Sequence, residues 1–121
     1  MSTSELRPDD AELVVLSVLA DDALYGYAIT KKVAARSNDE IVLSPGVLYP
    51  LLAKLEAGGL VNSTWETIKS DRNDEESGGR RRKWYTLSAK GKKRLLSRVQ
   101  AHRNYQSLIH GFIAPLEEGL A

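Results

Sequence analysis

Few residues in this 121-residue chain could do chemistry, and those few are mostly of one kind. Cysteine is absent, which removes thiol nucleophiles, thiolate metal sites and disulfides. The two histidines, His102 and His110, lie in the last fifth of the chain. A histidine-based triad or a multi-histidine zinc site would need a second polypeptide to complete it. Asp and Glu are scattered, with no base–nucleophile spacing among them. An enzyme is therefore the poorest reading, and no metal or cofactor is expected. What remains is positive charge. Gly78-Gly79-Arg80-Arg81-Arg82-Lys83 sets four consecutive cations behind two glycines, and the chemistry open to such a group is phosphate binding.

The formal net charge of +1 hides an asymmetry. Residues 1–59 carry five Lys/Arg against nine Asp/Glu, whereas residues 60–121 carry twelve against seven. Ser77–Leu116 holds ten basic residues and no acidic one. Charge this one-sided is the footprint of a polyanion partner; the plainer reading is a solvated helix face beside a basic turn. The longest apolar stretch, Leu13–Ala20, is broken by Ser17 and is far shorter than the ~20 residues that cross a bilayer. Glu5, Asp9 and Asp10 stand where a secretion signal would be basic. The expectation is a soluble cytoplasmic protein with no membrane partner.

The elements that must position the cations can be read from periodicity. Residues 1–8 read as an arm. Pro8, with Asp9, Asp10 and Glu12 behind it, starts a first helix whose continuation, Leu13–Leu19, is apolar on nearly every side. One small domain can hardly cover such a helix alone, which points to a second subunit. Asp21–Leu24 reads as a turn and Tyr25–Ser37 as a second helix with Ile29 and Val33 inward. Ile41-Val42-Leu43 reads as a very short strand. Ser44 is placed to cap a third helix with Pro45 at its first position and Leu48, Leu51, Leu52 and Leu55 as its buried stripe. Pro50 should loosen its first turn, and Gly58-Gly59 supplies a left-handed stop. Leu60–Thr67 and Arg81–Leu87 alternate as a hairpin, with Tyr85 and Leu87 inward and Trp84 and Thr86 outward. The polar tip between them contains Asp71, Asp74, Glu75 and Glu76, and their charge should swing it clear of phosphates. Ser88 caps a last helix, Ala89–Ala114, ended by Pro115. On it Leu95, Val99, His102, Gln106, Ile109 and Ile113 form a heptad-like seam, widened by Tyr105, Phe112 and Leu116.

This order of elements predicts a mainly α (α+β) protein, a winged helix-turn-helix with a long C-terminal dimerisation helix. Residues 9–87 form the DNA-binding domain with the wing at about 60–87, residues 88–115 the dimerisation helix and 116–121 a tail. Once the leucine stripe is buried, the third helix has Gly46, Val47, Tyr49, Pro50 and Lys54 left to present to a major groove. Gly46 permits close backbone approach, Val47 suits a thymine methyl, and Tyr49 suits a phosphate, sugar or base edge. Lys54 suits a phosphate. Gly79 and Arg80–Lys83 would add affinity through phosphates or a narrow minor groove. Leu13 and Leu16 of the first helix, with the seam of the last, are the expected dimer interface. His102 there reads as a packed interface residue.

Three stretches resemble the PadR-like transcriptional regulators. They are Leu24-Tyr25-Gly26-Tyr27-Ala28-Ile29, then Leu43-Ser44-Pro45-Gly46-Val47-Leu48-Tyr49-Pro50-Leu51-Leu52, then Gly79-Arg80-Arg81-Arg82-Lys83-Trp84-Tyr85-Thr86-Leu87-Ser88. The resemblance implies a dimeric repressor joined through its first and last helices, of the shorter subgroup with one C-terminal helix. It adds Tyr25, Tyr27 and Ser44 to the DNA-facing set and implies an inverted-repeat operator on double-stranded DNA. Some short relatives bind flat aromatic effectors in an interfacial pore lined by a tryptophan of the last helix. Here Trp65 and Trp84 both belong to the hairpin, a departure that counts against such a pocket. The alternative function is a winged-helix adaptor whose basic strip meets an acidic protein.

Overall fold

Pro8 opens the first helix with Asp9 and Asp10 in its first turn, where free backbone amides favour carboxylates. A computed structural model describes residues 6–68 and 80–120 of the chain. The described elements are α1 (Pro8–Leu19), β1 (Leu24–Tyr25), α2 (Gly26–Arg36), α3 (Pro45–Ala57), β2 (Val61–Ile68), β3 (Arg80–Leu87) and α4 (Ala89–Leu120). The strands form an antiparallel sheet in the order β1-β3-β2. The fold is the expected one: helical, with a small sheet carrying the wing.

The core joins α1, α2, α3 and the base of the wing. Leu16, Ile29, Leu48, Leu52, Leu55, Val15, Val18 and Val61 are fully enclosed, and Tyr85 closes the sheet side. Each such aliphatic side chain contributes about 1.5–3 kcal/mol relative to exposure. The turn after α3 follows from its glycines. Gly58 stays right-handed, while Gly59 takes φ 74°. The amide of Gly59 then donates to the Glu56 carbonyl at 3.0 Å and that of Leu60 to the Leu55 carbonyl at 2.9 Å. These are the paired bonds of a Schellman stop.

Four expectations change. Ile41–Leu43 forms no strand, because Leu43 is taken into the core and no strand edge pairs with this segment among the described residues. The third strand is instead Leu24–Tyr25, read in the sequence as turn and helix start, held by pairing with Tyr85 and Trp84. Both prolines expected to disturb helices are tolerated: α3 runs through Pro50 and α4 through Pro115 to Leu120. Each proline stands four residues after an exposed glycine, Gly46 or Gly111, so the carbonyl that loses its partner faces water. Leu16 is 0% exposed within its own protomer and offers a second subunit no surface. Leu13 and Val14, half-buried, are the large apolar residues of α1 left partly accessible.

The start of α4 is pinned at two places. Ser88 Oγ accepts from the Gly91 amide at 2.9 Å and donates to the Gly59 carbonyl at 2.6 Å, so one hydroxyl joins the cap of α4 to the stop of α3. Gly91 lies so close on the Leu60 carbonyl that no larger residue fits. One turn on, Arg94 Nε and Arg98 Nε donate to Glu12 Oε2 of α1 at 3.2 and 2.5 Å. Burial pushes the Glu12 carboxyl up, but hydrogen bonds from Arg98 and then Arg94 outweigh it and hold it below the usual carboxylate range. From Gln100 to Leu120 every residue except Ala114 is exposed, so α4 projects away from the body.

Glu12→Gln keeps the shape and removes the charge. Allowing for the half-exposed Arg94, the expected loss at neutral pH is about 1–3 kcal/mol. Because the folded pKa lies below the ordinary 4.5, the stabilisation is present above that value and is lost as pH falls through the lower folded one. Chemical denaturation should show a clear gap between wild type and variant at pH 7 that narrows as the pH is taken progressively below 4.5.

Candidate nucleic-acid interface

Burial of Leu48, Leu52 and Leu55 decides which arc of α3 is free. Gly46, Val47, Tyr49, Pro50, Ala53 and Lys54 are exposed along it, and Leu51 is half-covered. Tyr49 is 49% exposed, and its ring leans back over Gly26, the first residue of α2. Ser44 precedes the helix in extended conformation, but its side chain makes no capping hydrogen bond. Its carbonyl accepts from the amides of Val47 and Leu48 at 3.0 and 2.9 Å instead, which leaves the Ser44 hydroxyl exposed beside the first turn.

The wing presents two faces because successive residues point to opposite sides of the ladder. Cross-strand pairs Trp65 with Lys83, Thr67 with Arg81 and Ser63 with Tyr85 belong to the face shared with α3. Near the base of that face, Glu56 of α3 accepts from Ser63 Oγ and from Lys83 Nζ, the latter at 3.0 Å. The Ser63 hydrogen bond first, then that of Lys83, holds the Glu56 carboxyl below its usual range, and Glu56 in turn raises Lys83. Above this pair Trp65 is 57% exposed, with the Arg81 guanidinium 4.6 Å from its ring centre. On the opposite face Arg82 lies 4.4 Å over Tyr25 of β1. Tyr25 meets Trp84 edge-on at 5.2 Å.

The expected DNA-facing residues thus separate into groups. Gly46, Val47, Tyr49 and Lys54 share the free arc of α3, and Arg81 and Arg82 are exposed on the wing, each against an aromatic ring. A ring attracts a guanidinium without neutralising its charge. Lys83, expected as a fourth free cation, is engaged by Glu56. Tyr27 is exposed beside Lys31 of α2, whereas Tyr25 is half-buried as a support. Trp84, expected to point outward, is covered once Tyr25 joins the sheet; its Nε1 is buried with no hydrogen-bond partner among the described residues. Gly79 and the acidic tip, Asp71, Asp74, Glu75 and Glu76, lie outside the described residues, as does the side chain of Arg80.

Sequence reading missed Glu56, Ser63 and Trp65. The alternation of β2 did put Ser63 and Trp65 on one face, but only the register shows what they oppose. Of the expected subunit contacts, Leu95 and Val99 are half-buried, while His102, Gln106, Ile109 and Ile113 lie exposed on α4. Leu108, Phe112 (80% exposed), Leu116 and Leu120 extend that apolar face. No helix among the described residues is long and apolar enough to cross a membrane.

The family model described as "Transcriptional regulator PadR-like family" matches residues 15–97, from the second turn of α1 to the base of α4. A transcriptional regulator from Clostridium thermocellum superposes with a TM-score of 0.73 at 22% identity, over 87% of this chain and 94% of that one. A PadR family transcription regulator from Clostridium difficile superposes with a TM-score of 0.67 at 29% identity, over 84% and 96%. A 37.1 kDa protein of transposon TN4556 from Streptomyces fradiae is 46% identical over 56 residues, which are 46% of this chain but only 16% of that protein. The matched span contains the helix with the free arc and the wing with its stacked arginines, and the chain belongs to the PadR-like family of DNA-binding transcriptional regulators.

Proposed function

We propose that the protein is a homodimeric repressor that occupies an inverted-repeat operator, with α3 of each protomer in the major groove and the wing on the flanking backbone. The observation that carries this reading is the free arc of α3, Gly46 to Lys54, beside two exposed arginines whose guanidinium carbons lie 4.6 and 4.4 Å from aromatic ring centres. Val47 meets a thymine methyl, Tyr49 a base edge, sugar or phosphate, and Ser44 and Lys54 phosphates. Arg81 and Arg82 supply affinity without sequence preference. Lys83 acts through Glu56, fixing the wing against α3.

The apolar face of α4, from Leu95 to Leu120, supports pairing with a second copy, which would also cover Leu13 and Val14. A small-molecule effector would act where that pairing is set. A cleft of about 610 Å³ between the start of α1 and α4, lined by Arg7, Leu13, Arg98, His102 and Tyr105, supports that placement. Repression follows from occupancy, because a bound dimer excludes other proteins from its site.

Selection from random duplexes should return a palindromic consensus with half-sites about 34 Å apart. No preference among duplexes, together with salt-sensitive capture of an acidic protein, would favour the adaptor instead. With three or four phosphates neutralised per protomer, log K against log salt should have a slope of about −5 to −7. Arg81→Ala and Arg82→Ala should each flatten that slope by about 2 per dimer and leave the consensus unchanged. Lys83→Ala should leave the slope almost unaltered. In light scattering at micromolar concentration the wild type should have twice the mass of one chain, and an Ile109→Asp/Phe112→Asp double variant the mass of one.

A further inference from the structure

We propose that Gly26 is a positioning residue for DNA recognition: its bare Cα is the shelf on which the Tyr49 ring is held in reading position. The inference rests on Tyr49 being a DNA contact and adds what sets its orientation. A β-carbon built on Gly26 would stand 2.5 Å from the Tyr49 hydroxyl oxygen and 2.8 Å from two of its ring carbons. Those are its three nearest neighbours, and all belong to this one side chain from the next helix.

Glycine is not needed at position 26 for its backbone. The left-handed glycine among the described residues is Gly59, whereas Gly26 opens α2 with a dihedral that any residue can adopt. With the backbone placing no demand for glycine, the reason for it is to be sought in the space around position 26. The three atoms nearest to its missing side chain all belong to Tyr49, which points to space as that reason. Gly26 is itself buried, and the ring covering it is half-exposed. One side of Tyr49 is therefore spent on the shelf and the other is left for a ligand. A phenol ordered before binding loses less rotamer freedom when it docks, and its hydroxyl meets the duplex at one fixed height above α3. The displaced atoms are the far end of a half-exposed side chain, so Gly26→Ala should move the ring and spare the backbone.

The test is a double-mutant cycle on full-length protein, using the selected duplex, with affinity and thermal midpoint both measured. Tyr49→Ala should weaken binding about tenfold, and Gly26→Ala roughly three- to tenfold, the effect of one misplaced polar contact. The thermal midpoint of Gly26→Ala should stay unchanged or rise, since alanine is the better helix former. In the double variant, adding Gly26→Ala to Tyr49→Ala should cost nothing further, because no ring remains to displace. If Gly26→Ala instead lowers the thermal midpoint, Tyr49→Ala in the same chain must restore it. Wild-type binding by Gly26→Ala, additive losses, or a lowered midpoint that is not restored would each overturn the shelf. Unchanged binding by Tyr49→Ala would overturn the reading of α3 beneath it.

Discussion

Three leucines hold α3, and nearly everything else about the molecule follows from how they are buried. Leu48, Leu52 and Leu55 lie four and three residues apart on one side of a helix, and all are enclosed. With that side taken, the opposite arc has to face solvent, and it carries Gly46, Val47, Tyr49 and Lys54. The same seating places the Schellman stop at Gly58–Leu60 where Ser88 can bond to it. The direction of α4 starts from that junction.

The electrostatics are more selective than the charge count implies. Of the ten basic residues between Ser77 and Leu116, several have structural duties. Lys83 pairs with Glu56, Lys90 donates to the Gly58 carbonyl, and Arg94 and Arg98 share Glu12. Each joins α1, α3 or the turn after it to the wing or to α4. Arg81 and Arg82 differ: each lies against a ring, and neither is in an ion pair among the described residues, although Glu66 stands opposite Arg82 across the strands. A ring orients a guanidinium without neutralising it, whereas a carboxylate does both. The charge of the wing left unmatched among the described residues is thus concentrated in Arg81 and Arg82.

The wing and the reading helix are also mechanically tied. Glu56 holds Ser63 and Lys83 from the C-terminal half of α3, while Tyr49 rests on α2 from the N-terminal half. An exposed ion pair is worth little in stability, roughly 1 kcal/mol or less. Its consequence is geometric: it fixes the angle between α3 and the wing.

Much of this was legible along the chain. The caps at Pro8, Pro45 and Ser88, the leucine stripe of α3, the glycine stop and the alternation of β2 and β3 are local signals, set within one or two turns of backbone. They determined the order of elements and which side of each is apolar. What local pattern could not reach was partnership across long separations. Glu12 meets Arg94 from 82 residues away, and Tyr25 becomes a strand only because Trp84 and Tyr85 arrive beside it. Sequence alone therefore determined a winged helix with a basic wing. Tertiary docking decided which of its cations remain free, because a side chain's charge is chemically available only when no neighbour brought in by folding has already matched it.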